Sequence, residues 1–71
     1  MINKESAILV KSGSLKAVED LSRILLDIRH QISDEDFDRI KRQVGSVIGR
    51  IQGEILSDIY LNFPDLNDLD K

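Results

Sequence analysis

Cysteine is absent from this chain of 71 residues, and so is tryptophan. Without a thiol there is no disulfide, no thiolate metal site and no cysteine nucleophile. Aromatics are scarce, one Tyr and two Phe, so few side chains are able to stack on bases. Basic residues do not predominate: ten Lys and Arg stand against thirteen Asp and Glu, a formal net charge of −3. That balance argues against a general electrostatic hold on nucleic acid, which needs a basic field. Long apolar runs are missing too. The longest, Ala7 to Val10, is far too short for a membrane span. The opening Met1-Ile2-Asn3-Lys4-Glu5-Ser6 has neither the basic start nor the apolar stretch of a secretory leader. A cytoplasmic protein with no membrane contact is the expectation.

A chain this short is one small domain, and a single core of this size rarely supplies more than about 3–5 kcal/mol. With disulfides and thiolate metal sites excluded, oligomerisation is the remaining common remedy.

What the chain does have is helical periodicity. Val18, Leu21, Leu25, Ile28 and Ile32 follow at alternating steps of three and four, the seam of a coiled-coil-like helix. Ala17 and Ile24 widen it on one flank. Ser14 reads as the cap of this helix, which is expected to occupy 14–32. Residues 1–13 read as a separate short element, a helix from Asn3 to Lys11 closed by Gly13 in the left-handed conformation; a strand fits Ala7 to Val10 no worse. Ser33-Asp34-Glu35-Asp36 reads as a second start, a hydroxyl cap followed by acids that complement the helix dipole. The last helix is expected over 34–62, with Phe37, Ile40, Val44, Val47 and Ile51 as its seam. Phe63-Pro64 stops it, and 63–71 is left as an acidic tail, frayed or folded back. The connection between the two helices is short, so they form an antiparallel hairpin. The fold class expected is all-α: a helical hairpin with a short amino-terminal element, dimerising into a four-helix-type bundle.

Within the last helix, small residues recur every fourth position at Gly45, Gly49, Gly53 and Ser57. A glycine inside a helix costs about 1 kcal/mol relative to alanine, so close packing on this row is the natural offset. Uninterrupted helical arithmetic puts Ile40, Val44, Ile51 and Ile55 towards the hairpin partner. It puts Gly45, Gly49 and Gly53 on a second face with Leu56, Tyr60 and Phe63. Three covers suit that face. The amino-terminal segment Ile2 to Val10 lies in the glycine groove while the tail caps Leu56 and Tyr60; or a second copy crosses there; or a partner helix fills the groove. The spacing is best attested between membrane helices, but Arg50 and Glu54 beside it exclude that setting. Self-association, with a dimer favoured, is the preferred reading, and the interface residues expected are Gly45, Gly49, Gly53, Leu56, Tyr60 and Phe63.

Patterns that carry chemistry are weak. Asp27 and His30 share a spacing used by metal sites in helical bundles, but they lie nearly opposite the apolar seam. No serine has a visible base, and the glycines do not form a phosphate loop. Neither an enzyme nor a cofactor or metal site is expected. Arg39, Lys41, Arg42 and Arg50 form the strongest basic cluster, spread around the helix among acids in i,i+4 register. The alternative function is therefore a regulator that contacts nucleic acid through Arg39, Arg42 and Arg50, or an acidic protein that masks a basic nucleic-acid-binding partner.

Overall fold

A computed structural model describes residues 2–67. The chain is all-helical, with two long helices and no strand among the described residues. Helix α1 spans Lys4–Ile28 and α2 spans Asp34–Arg50. The second helix continues without a bend in backbone region through a π-helical segment, Ile51–Leu56, into a short α3, Ser57–Asn62. A 3₁₀ turn, Pro64–Leu66, follows. The tail residues Asp68 to Lys71, with Leu69, lie outside the described residues. None of the described helices is long and apolar enough to cross a membrane.

Both helix starts are set by side chains that take up orphan amides of the first turn. Asn3 Oδ1 accepts from the Ser6 N–H at 2.8 Å, and Ser33 Oγ accepts from the Asp36 N–H at 3.2 Å. Asp34, Glu35 and Asp36 fill the first turn of α2, where the dipole favours negative charge. Between the helices the connection begins at Arg29, earlier than expected. The Gln31 N–H closes it onto the Ile28 carbonyl at 2.9 Å, and the Gln31 side chain donates to the Asp27 carbonyl.

Residues 1–13 do not form a separate element. Helix α1 runs straight through Gly13, and no described glycine takes a positive φ. A glycine ends a helix only when it adopts the left-handed conformation. Here the packing pattern continues across it: Ala7, Lys11, Ser14, Val18, Leu21, Leu25 and Ile28 alternate steps of four and three, and each is buried or half-buried. Ser14 is a seam residue, not a cap. Burying one aliphatic side chain is worth about 1.5–3 kcal/mol, more than the roughly 1 kcal/mol that Gly13 costs.

The π segment changes the phase of the last helix. The Ser57 N–H reaches back to the Gln52 carbonyl, a five-residue step in place of four. Unbroken α-helix would turn Ile55, Asp58, Ile59 and Asn62 towards α1. A step of five from Ile51 brings in Leu56, Ile59, Tyr60 and Phe63 instead. Asp58 and Asn62 are thereby kept out of the contact, and Leu56, Tyr60 and Phe63 enter it at the expense of Ile55. That exchange outweighs the poorer hydrogen-bond geometry of one wide turn.

The core sits where the start of α1 meets this re-phased end. Among the described residues the buried side chains are Ala7 (0% exposed), Leu56 (4%) and Ile59 (4%). Lys4 forms an ion pair with Asp65, and Lys11 donates to the Leu66 carbonyl while lying 5.9 Å from the Tyr60 ring centroid. These contacts fold the 3₁₀ turn back over one flank of α1.

Candidate interaction surface

Gly45, Gly49 and Gly53 are exposed. A Cβ built on any of them meets nothing within 4 Å, so neither the amino-terminal segment nor residues 63–67 lie in a glycine groove. The cover expected from Ile2 to Val10 does not form on this row, and the expected tail cap falls in part on 68–71, outside the described residues. Its expected neighbours are elsewhere. The π segment rotates Leu56 into the core, and Tyr60 and Phe63 are half-buried along with it. Glycines and aromatics therefore do not share one face: the row stands alone, on the side of α2 that also carries Lys41 and Arg42. Ile55, expected against α1, is 43% exposed.

The arginines do not converge either. Arg39 pairs with Asp36 at 3.3 Å and Arg50 with Glu54 at 3.5 Å, while Arg42 lines a shallow depression with Asp38 and Lys41. Exposed pairs of this kind are worth about 0–1 kcal/mol and leave a surface of mixed sign. His30 lies in the turn beyond Ile28, so Asp27 and His30 do not stand on successive turns of one helix. No three metal-ligating side chains gather among the described residues. An open groove at the end of the molecule is lined by Ile2, Asp58, Ile59, Asn62 and Phe63.

Among the described residues one carboxyl has a clearly shifted titration. The Asp65 carboxyl is held below its ordinary range, chiefly by the hydrogen bond from Lys4; slight desolvation opposes this and the Lys4 charge reinforces it.

The feature that sequence reasoning underrated is apolar exposure. Ile2, Ile8, Leu9, Val10, Leu15, Ile24, Leu26, Val47, Ile55 and Leu61 are all exposed. Val10, Ala17 and Ile24 are separated by steps of seven, so they form one line along a flank of α1. Splitting the chain at Gly13 hid that line, because it assigned Val10 to a different element. Val47 was expected inside the hairpin seam, yet it is 48% exposed. The half-buried line of α2 has drifted to Ile48, as a straight helix drifts from a strict heptad. Comparison with known protein families, characterised proteins and solved structures finds no match to this chain.

Proposed function

We propose that this chain is a small non-catalytic protein-interaction module: a helical hairpin that self-associates as a dimer, two hairpins completing a four-helix-type bundle. The observation that carries the reading is how much surface the single hairpin leaves accessible, with Val47, Ile55 and other large apolar side chains exposed on it. Accessible surface is 5529 Å², against about 4500 Å² for a compact monomer of this mass. The radius of gyration is 14.8 Å, against about 11 Å for a compact chain of this length. The surplus of about 1000 Å² is close to the roughly 800 Å² that each partner contributes to a standard-size interface. An isolated hairpin leaves that surplus in water; a second hairpin laid on it supplies the core that the single chain lacks.

Light scattering on the purified protein tests this. The expected mass is about twice the protomer's 8.1 kDa, falling towards the protomer on dilution. A mass of one protomer at every concentration, with helical content retained, overturns it.

A further inference from the structure

The geometry points to the flank of Val10, Ala17, Ile24, Val47 and Ile55, not the glycine row, as the surface on which a second copy of this chain docks. This rests on the self-association proposed above and goes further by locating its interface. At 100° per residue, Val10, Ala17 and Ile24 lie to one side of the α1 seam, and Lys4 and Lys11 lie to the other. In an antiparallel pair, Val47 falls on the Val10 side. The wide turn of the π segment swings Ile55 round to join it. Val10, Ile24, Val47 and Ile55 are 39–48% exposed, so each is half-sunk with its outer half in water.

The opposite flank is occupied at its open end. Lys4 holds Asp65 there, and Lys11 holds the Leu66 carbonyl beside Tyr60, so the chain's own 3₁₀ turn closes that side at its open end. The glycine row offers little to bury, having no side chains and charged neighbours. Ile8, Leu15 and Leu26 are also exposed on α1, but α2 faces that side with Lys41 and the glycine row; among the described residues the Val10–Ile55 flank is the one to which both helices bring exposed apolar side chains.

Area suits a second copy in particular: the surplus of about 1000 Å² is close to what one partner contributes to a standard-size interface. Two hairpins related by a two-fold axis along the bundle set α1 of each against α2 of the other, antiparallel. The rim is of mixed sign on both helices, with Asp20 paired to Lys16, Arg39 to Asp36 and Arg50 to Glu54, so an apolar centre is ringed by polar pairs, which is the usual anatomy of an interface.

Ile24→Glu and Val47→Glu test the assignment, with Leu15→Glu on the opposite flank and Gly49→Leu on the glycine row as comparisons, all by light scattering across a dilution series. The expected result is that Ile24→Glu and Val47→Glu each weaken association by roughly tenfold or more, because an unpaired carboxylate is forced into an apolar contact. Leu15→Glu and Gly49→Leu keep the wild-type mass. If instead Leu15→Glu or Gly49→Leu dissociates the dimer while Ile24→Glu and Val47→Glu do not, the interface is misplaced though self-association stands. If the wild type is itself a single protomer throughout, the underlying reading falls with it.

Should the charged variants not fold, Ile24→Cys and Leu15→Cys replace them, each a lone thiol in a cysteine-free chain. Maleimide labelling of Ile24→Cys slows as protein concentration rises, and that of Leu15→Cys does not; equal behaviour of the two overturns the assignment.

Discussion

The two ends of the hairpin are built differently. At the open end the start of α1 meets the π segment, α3 and the 3₁₀ turn. There Ala7, Leu56 and Ile59 are buried, and Lys4 and Lys11 tie the two chain ends together. At the turn end, α2 contains no buried residue at all, although it has the stronger amphipathic pattern. Its seam residues Phe37, Ile40 and Val44 are only half-buried against α1. Amphipathicity thus marks a face that wants covering, but one helix cannot cover it. The open end solves the problem within the chain by adding a third layer. The turn end has only two helices, and its seam stays half-exposed.

The largest effect that sharpens this contrast is expected at the open end. Leu56→Ala and Ile59→Ala should each cost about 2–5 kcal/mol, comparable to the whole stability of a domain this small. In urea both variants should be largely unfolded before denaturant is added. Ile40→Ala at the turn end should lower the midpoint by much less in protein dilute enough to be monomeric. Equal losses at both ends would remove the distinction.

The π segment allows a cleaner break. Deleting Gly53 removes the extra residue, so a normal α-turn then delivers Leu56, Ile59, Tyr60 and Phe63 to the same seam. The deletion also removes a glycine that costs about 1 kcal/mol. Thermal melting followed by circular dichroism should show stability retained or raised. A collapse of helical signal would mean that the π turn is needed for itself and not as a phase correction.

Caps come next in size. Asn3→Ala and Ser33→Ala each remove one side-chain acceptor from a first-turn amide, at a cost of about 1 kcal/mol. Ser33 lies at the less supported end and should show its loss mainly as local opening, read by amide hydrogen exchange in the first turn of α2.

The smallest effect is electrostatic. The Asp65 carboxyl is held low chiefly by its hydrogen bond from Lys4, so it stays ionised to lower pH in the folded chain than in the unfolded one. Its contribution is fully present above the ordinary carboxyl range and is lost as pH falls through the lowered value. Both partners are more than half exposed, so the shift in melting temperature should be slight. Lys4→Met should abolish this pH dependence, and an unchanged acid limb would contradict the assignment.

Much of the fold was legible because the strongest signals are local. Asn3, Ser33 and the three acids after it mark helix starts, and Phe63-Pro64 marks the stop. Two features were not legible, and each has a physical cause. At Gly13 the sequence presents a helix-ending residue flanked by serines, and the seam crosses it on Lys11 and Ser14. Those are polar residues whose half-burial depends on the returning strand of helix and the 3₁₀ turn. At Ile51–Leu56 the residue types permit an α-helix, and only the cost of turning Asp58 and Asn62 towards α1 selects the wider turn. That single insertion separates Leu56 and Tyr60 from the glycines, which an unbroken helix would put on one face.

If a second copy finishes the hairpin's uncovered apolar flank, the protein completes its core only as a dimer. The thermal midpoint of the wild-type protein over a wide dilution series reads this out, since such a dimer must melt at a temperature that depends on concentration. The midpoint should fall steadily with dilution, in step with the loss of dimer mass. A midpoint that stays constant over the whole series would contradict it.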